Sequence, residues 1–315
     1  MNVDDIQRIA VIGVGEIGHQ IAQEFAMAGY EVHLNDVSEE KLQQALANIR
    51  RNLQFLVENE FITSQQIEST MNHCYPVLSM QDAVSDVDVV VEAVYENVEV
   101  KQQLFQRLDA LSPDRTILAS NSSTIVPSRM ASVTHRPQQV LVAHYINPPY
   151  LMPVVELVRA PDTSDDTVNT MYALYKQMGK TPVIVQKEVP GFLVNRLQGA
   201  IWREALYLAE QGIASPEDID NVVTHSFGRR LSTIGYFTVA DHIAGLDLSL
   251  IACNLVFPYL NSSSVVPSIL QKKVQKGELG VKTGKGFYTW TPESADALRQ
   301  KLLRNLVAIA KWDNT

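Results

Sequence analysis

The sequence predicts an α/β protein: a doubly wound, mostly parallel sheet domain followed by an all-helical domain. Three observations carry that reading. Short β-branched runs alternate with segments of helical periodicity as far as about residue 186. A G-x-G-x-x-G turn stands between the first such run and the first such helix. After the proline-glycine break in "KEVPGF" (Lys187–Phe192) the strand pattern stops. The break sets the expected domains at residues 1–187 and 188–315.

"RIAVIG" (Arg8–Gly13) is β-branched, ends in glycine and reads as a buried parallel strand. Ile17, Ile21, Ala22 and Phe25 then recur at helical spacing, and Gly29 stands where a C′ residue belongs. "YEVHLND" (Tyr30–Asp36) is the second strand, so the chain opens with a βαβ unit. Ser38 caps a long helix, and Thr63 with Gln66 makes a capping box for a shorter one. Together they predict a helical hairpin inserted over residues 38–72. "DVDVVVEAV" (Asp86–Val94), "RTILASNSS" (Arg115–Ser123), "QVLVAHYI" (Gln139–Ile146), "MPVVELV" and "TPVIVQ" complete the sheet. Beyond the junction, "FLVNRLQGAIWREALYLAEQG" is one helix. "SPEDIDNVV" opens another, with Ser215 as N-cap and Pro216 in its first turn. The remainder reads as mostly helical.

At 315 residues, 46% hydrophobic and 19% charged, the chain has the balance of a globular protein with room for two cores. The formal net charge of −9, with no Lys/Arg-rich run, argues against nucleic acid or an anionic membrane as partner. No apolar run reaches membrane-spanning length, and the N-terminus shows neither a signal nor a transit pattern. Cys74 and Cys253 form no redox or metal motif, so a reduced cytoplasm is the expected location and no metal is expected.

The glycine turn, Gly13-Val-Gly15-Glu-Ile-Gly18, carries weight through its context: strand before, helix after, and Asp36 at the end of the second strand. Gly13 permits the tight turn. Gly15 lets a pyrophosphate approach the backbone at the helix N-terminus, with Glu16 and Ile17 beside it. Gly18 lets helix and sheet pack closely. Asp36 would bond the adenosine ribose hydroxyls and repel a 2′-phosphate. Val37 and Ser38 supply no basic partner for one, so NAD is expected over NADP. The fingerprint alone also admits FAD. In this Rossmann-type setting Asn121, at the end of its strand, is counted among the cofactor contacts. "GVKTGKGFY" (Gly280–Tyr288) looks phosphate-cradling but departs from the P-loop pattern, and a turn is expected there.

Seven histidines are present, and His144 stands apart. It ends a buried strand at the carboxyl edge, where α/β folds place ligands. Glu156 follows inside the apolar run "VVELV", where a lone carboxylate would be costly unless paired. The proline-rich turn between them can bring the chain back on itself. A glutamate bonded to one imidazole nitrogen would fix the tautomer and leave the other nitrogen as a general base. On spacing alone, a purely structural buried pair is the alternative. A serine hydrolase use of Ser123, His144 and Glu156 fails because the G-x-S-x-G elbow is missing.

Over nearly its whole length the chain resembles the L-3-hydroxyacyl-CoA dehydrogenase family, which includes L-gulonate 3-dehydrogenase and lambda-crystallin. The resemblance rests on "VIGVGEIG", "VVEAVYENVEVKQQLF", "SNSST", "AHYINPPYLMPVVELV", "KEVPGFLVNR", "GIASPEDID" and "KTGKGFYTW". It implies that His144 is the catalytic base and Glu156 its orienting partner. It implies that Ser123 binds the substrate hydroxyl and Asn195 the reacting oxygen, and that Glu96 and Lys101 lie near the cofactor. It further implies a homodimer formed through the helical domain.

The substrate expected first is a small-molecule L-3-hydroxyacyl-CoA, as in fatty acid metabolism. A free 3-hydroxy acid such as L-gulonate is the alternative, and a non-catalytic crystallin-like NAD-binding protein a remote one. Acyl-CoA members carry hairpin lysines that can meet the CoA phosphates. Here Arg50 and Arg51 could serve or could belong to a solvated helix face, and Glu58 and Glu60 follow where a lysine would be expected. Arg229 and Arg230 could clamp a small carboxylate or could be surface charges. "FGRRLSTIGYF" also departs from the acyl-CoA pattern, with Gly235-Tyr236 in place of Gly-Pro.

Overall fold

The computed structural model describes residues 1–312. Two compact units form, residues 1–196 and the residues from Leu197 onward. The strands of the first are β1 (Arg8–Ile12), β2 (Glu31–Asn35), β3 (Cys74–Pro76), β4 (Val89–Glu92), β5 (Ile117–Ser120), β6 (Val140–Tyr145), β7 (Val154–Arg159) and β8 (Thr181–Val185). They form one sheet in the order β3-β2-β1-β4-β5-β6-β7-β8. The order reverses between β1 and β4, the switch point at which doubly wound sheets open a crevice at their carboxyl ends.

β1 to β6 are parallel, β7 runs antiparallel to β6, and β8 is parallel to β7. Only residues 146–153 join β6 to β7. That is shorter than the dozen or more residues a parallel crossover takes, so the strand has to turn back. β3 was not anticipated. It has three residues, ends in Pro76 and lies at the sheet edge, where a missing amide costs no ladder bond.

The helices are α1 (Gly18–Met27), α2 (Glu39–Glu58), α3 (Ser64–Met71), α4 (Met80–Val84), α5 (Val98–Leu111), α6 (Ser128–Ala131) and α7 (Asp165–Gln177). The hairpin of α2 and α3 begins as its caps direct. The Ser38 hydroxyl accepts from the Lys41 amide, and Gln66 Oε1 accepts from the Thr63 amide at 2.8 Å. Successive residues of β1 enter opposite cores, as the pleat requires. Ile9 and Val11 pack with Phe25, Ile49 and Leu53, whereas Ala10 and Ile12 pack with Phe105, Leu108 and Phe192. Phe192 lies past the proline-glycine break yet is fully buried there, which holds the segment after Lys187 to the sheet domain.

One buried ion pair ties α1 to the far end of this layer. The Lys180 ammonium bonds the Glu24 carboxylate and also donates to the Pro149 carbonyl at 2.8 Å. Burial pushes the Glu24 carboxyl up, and Lys180 opposes that.

The second unit continues α8 (Val194–Glu210) with α9 (Pro216–His225), α10 (Phe227–Leu231), α11 (Tyr236–Val239), α12 (Leu246–Val256), α13 (Ser268–Gln275) and α14 (Pro292–Trp312). Among its described residues the buried hydrophobics are Leu206 and Val307, while Phe237, Leu246, Leu250, Leu255 and Tyr259 are exposed. "GVKTGKGFY" forms a turn, with Gly280 bridged to Lys285. No single described helix is long and apolar enough to cross a membrane; the bent pair Tyr236–Ala244 and Leu246–Tyr259 meets that test only when joined across a 114° break.

Lys180→Met should lower the thermal midpoint markedly. Removing one partner of a buried pair strands the other charge, at a cost of about 3–5 kcal/mol. Pairing the change with Glu24→Leu should recover much of the loss, and a single variant as stable as the wild type would contradict the role given to the pair.

Candidate active site

The dinucleotide end of the crevice lies where β1, β2 and β4 finish. Gly13 has φ +87°, and a Cβ there would meet the Ala93 carbonyl oxygen at 2.9 Å; one on Gly18 would meet the Gly13 carbonyl oxygen at 1.9 Å. Both glycines are therefore dictated by the protein's own packing. Gly15 is different: a Cβ there would meet nothing within 4 Å. It faces a cavity of about 680 Å³ lined by Gly13, Gly15, Asp36, Lys41, Tyr95 and Arg107, among others. Ile17, at the N-cap of α1, offers no side-chain cap, so the helix's first amides have no side chain in front of them. An open floor under an uncapped helix N-terminus fits a pyrophosphate.

Asp36 also lines this cavity. Its Oδ2 accepts from the Val14 amide at 2.9 Å and its Oδ1 from the Val37 amide at 2.8 Å. This carboxylate both braces the glycine turn and points charge into the cavity. Lys41, one turn into α2, stands 3.4 Å from Oδ1. Sequence reading looked only at Val37 and Ser38 and missed it. Glu16 adds a backbone contact alone: its carbonyl accepts from Gln20 Nε2 at 2.8 Å. Gln20 also reaches Asn147 Oδ1 at 3.4 Å, which joins the glycine turn to the loop after His144.

His144 and Glu156 stand on the antiparallel pair β6 and β7. Their register sets His144 directly opposite Glu156, on the same face of the sheet. His144 Nδ1 lies 2.7 Å from Glu156 Oε2, and both side chains are buried. Glu156 Oε1 accepts from the Leu193 amide at 2.7 Å and the Val194 amide at 3.0 Å, at the start of α8. Gly191 and Phe192, with φ of 79° and 49°, turn the chain so that those amides face inward. A non-glycine residue in the left-handed region costs of order 1–3 kcal/mol. Burial of the Phe192 ring, 5.7 Å from the imidazole centroid, holds it there. Burial pushes the Glu156 carboxyl up, but the bonds from His144 and the two amides outweigh it, so the carboxyl stays below its ordinary range. His144 Nε2 makes no hydrogen bond among the described residues.

Ser123 and Asn195 are brought to the same place. Asn195, one residue into α8, donates from Nδ2 to the Ser123 carbonyl at 2.9 Å. The Ser123 hydroxyl makes no hydrogen bond among the described residues. Asn121 holds β5 to β6 by accepting from the Tyr145 amide at 2.9 Å. Glu96 receives the turn after β5: its Oε1 accepts from the Ser122 hydroxyl at 2.6 Å, the Ser123 amide at 3.1 Å and the Thr124 amide at 3.0 Å. Lys101 is almost wholly buried, with its ammonium 2.6 Å from Glu92 Oε1 and 3.4 Å from Glu96 Oε2. Glu92 also accepts from the Ser120 hydroxyl at 2.6 Å. The sequence reading passed over Glu92, although its signal matched that of Glu156: a carboxylate inside an apolar strand.

Of the arginine handles, two stand on α2 of the hairpin and two on α10 of the second unit. Arg50 bonds Glu68 across the hairpin, and Arg51 donates to Asn48 on its own helix at 3.0 Å. Arg229 and Arg230 are exposed on α10. Tyr145 turns to the opposite face from His144, against Tyr175. Among the other histidines, His135 meets Asp109, His33 meets Glu31 and His19 meets the Gly15 carbonyl. No described group of three or more His, Cys, Asp or Glu is placed to hold a metal.

Residues 8–189 match the family model of the 3-hydroxyacyl-CoA dehydrogenase NAD binding domain, and residues 191–290 match that of the 3-hydroxyacyl-CoA dehydrogenase C-terminal domain. The chain belongs to the 3-hydroxyacyl-CoA dehydrogenase family. It is an oxidoreductase with a Rossmann-type NAD-binding domain and a helical C-terminal domain, and its cofactor is NAD. A probable 3-hydroxybutyryl-CoA dehydrogenase of Bacillus subtilis is 35% identical over 92% of this chain and 100% of its own. The human lambda-crystallin homolog is 39% identical over 72% of each chain. The solved structure of 5-formyl-3-hydroxy-2-methylpyridine 4-carboxylic acid 5-dehydrogenase, an NAD+-dependent dismutase, superposes with a TM-score of 0.90. It is 31% identical to this chain and spans 96% of it and 97% of its own length.

Two alanine substitutions in the glycine turn should separate packing from binding. Gly18→Ala should destabilise the protein sharply, as overpacking does, by about 1–3 kcal/mol or more. Gly15→Ala should leave the thermal midpoint nearly unchanged and weaken NAD binding measured by fluorescence titration. If Gly15→Ala bound NAD as the wild type does, the open floor under α1 would not be the pyrophosphate site.

Proposed function

We propose that this family member oxidises the 3-hydroxyl of an L-3-hydroxyacyl-CoA, or reduces the matching ketone, with His144 as general base and Glu156 as its partner. The observation that carries the reading is the buried 2.7 Å contact between His144 Nδ1 and Glu156 Oε2, which leaves Nε2 free. Bound NAD supplies the hydride acceptor. His144 Nε2 takes the proton of the secondary alcohol, and Glu156 stabilises the imidazolium that results. The Ser123 hydroxyl and the Asn195 amide bond the substrate oxygen as its charge changes. Asp36 meets the adenosine ribose and disfavours a 2′-phosphate.

A free carboxylic acid is the second reading. It is supported by the close superposition on a pyridine carboxylic acid dehydrogenase and by Arg50 being already engaged with Glu68. The two readings part on four arginines. With a CoA thioester, Arg50→Glu together with Arg51→Glu should raise KM for acetoacetyl-CoA and spare kcat, because a remote contact binds ground and transition states alike. With a free acid, Arg229→Ala or Arg230→Ala should do the damage.

A homodimer formed through the second unit is also part of this reading. α12 is apolar on most of its surface and exposes Leu246, Leu250 and Leu255, and a helix apolar all round is one that something covers. A second copy of the chain is the proposed cover.

The direct test is NADH formation across a panel of 3-hydroxyacyl-CoAs and free hydroxy acids. His144→Ala should bind NAD and lose about 10²–10⁴ in rate. Glu156→Gln should keep the fold and be slower, because a neutral amide cannot stabilise imidazolium. Wild-type turnover by either variant would remove the assignment. Asp36→Ser with Val37→Arg should narrow or reverse the preference for NADH over NADPH, with the Lys41 ammonium already 3.4 Å from the Asp36 carboxylate.

A further inference from the structure

Five donors converge on one oxygen of Glu96. Oε1 accepts from the Ser122 hydroxyl, the Ser123, Thr124 and Ile125 amides, and the Thr124 hydroxyl, over 2.6 to 3.4 Å. Successive amides curled round a point make a nest that holds anions. Here the anion comes from the protein itself, reached from the stretch between β4 and α5. The nest is the turn that carries Ser123, whose carbonyl is held from the other side by Asn195 at 2.9 Å. With its amide and carbonyl both fixed, the serine keeps its hydroxyl free.

Glu96 is itself held from beneath. The buried Lys101 ammonium lies 3.4 Å from Glu96 Oε2 and 2.6 Å from Glu92 Oε1. Glu92 accepts from the Val94 amide at 2.7 Å, just before Glu96, and from the Ser120 hydroxyl at 2.6 Å, just before the nest. One lysine thus joins two carboxylates that grip both ends of β5's exit turn. Burial pushes the Glu96 carboxyl up, but the hydroxyl, lysine and amide contacts outweigh it and hold it ionised below its ordinary range.

We propose that Glu96 is a positioning residue that acts through Ser123: it fixes the Ser122–Ile125 turn so that the Ser123 hydroxyl is aimed at the substrate oxygen. This goes beyond a cofactor contact, and it rests on the reading of Ser123 as a substrate ligand. Charged hydrogen bonds to backbone amides are roughly twice as strong as neutral ones, which suits a carboxylate to the task. A glutamine keeps the reach and one acceptor but loses the charge and its pairing with Lys101.

A double-mutant cycle on kcat/KM tests the idea, with NAD affinity measured alongside by fluorescence titration. Ser123→Ala should lose about 10²-fold, the scale for one donor to a developing oxyanion. Glu96→Ala should lose about tenfold or more in the wild-type background and less than about threefold in the Ser123→Ala background, because residues that act as a unit are not additive. With NAD saturating, any loss of NAD affinity at this cofactor contact stays out of the kcat/KM comparison, and it should be the same in both serine backgrounds. Glu96→Gln should recover only part of the loss, and if Glu96→Ala does not fold, the loss that remains in Glu96→Gln should shrink in the Ser123→Ala background in the same way. An undiminished Glu96 effect in the Ser123→Ala background overturns the proposal. So does a loss seen in NAD affinity with kcat intact. A silent Ser123→Ala sinks the underlying reading of the serine, and the positioning role falls with it; that outcome is distinct from additivity between two damaging changes.

Discussion

The arrangement depends on one buried contact, His144 Nδ1 to Glu156 Oε2 at 2.7 Å. A carboxylate at 1% side-chain exposure persists only if its oxygens are engaged. Three parts of the chain supply that engagement. β6 brings the imidazole, β7 brings the carboxylate in register, and the first residues of α8 bring two amides. The positive end of the helix adds to the same effect. Remove the imidazole or the amides and the carboxylate is left with an unpaired oxygen; remove the carboxylate and the buried imidazole loses its partner.

That requirement explains features that otherwise look unrelated. The antiparallel step in a sheet that is parallel from β1 to β6 is what puts position 144 beside position 156. The left-handed turn at Gly191 and Phe192 is what points the amides inward, and the burial of Phe192 is what keeps so bulky a residue there. Asn195 follows on the same helix and reaches the serine turn, so the start of α8 serves both the buried His144–Glu156 pair and that turn. At the other end of the crevice, Asp36 plays a parallel role, bracing the glycine turn through the Val14 amide while charging the cavity.

The parts of this that were legible in the sequence are those written in local pattern. The βαβ opening, the capped hairpin and the isolated Glu156 inside "VVELV" each follow from spacing over a few residues. What could not be read lies in contacts made through the backbone or across long separations. The nest around Glu96 uses amides, which any residue carries, so composition is silent about it. Lys101 was placed near the cofactor, but nothing local says that its ammonium is buried against Glu92. Tyr145 adjoins His144 in sequence, but the pleat sends it to the opposite face. Arg50 looked free until α3 brought Glu68 to it. Glu92 was legible and overlooked, because the strand around it fitted the fold so well that its charge was not questioned.

The central claim is that Glu156 fixes the imidazole of His144 with the proton on Nδ1 and the lone pair of Nε2 open to substrate. Nitrogen chemical shifts of histidine-labelled protein, with His144 assigned by the signal lost in His144→Asn, report that tautomer directly. The account predicts that neutral His144 is the Nδ1–H form in the wild type and loses that strong bias in Glu156→Gln. A wild-type His144 protonated on Nε2 would contradict it.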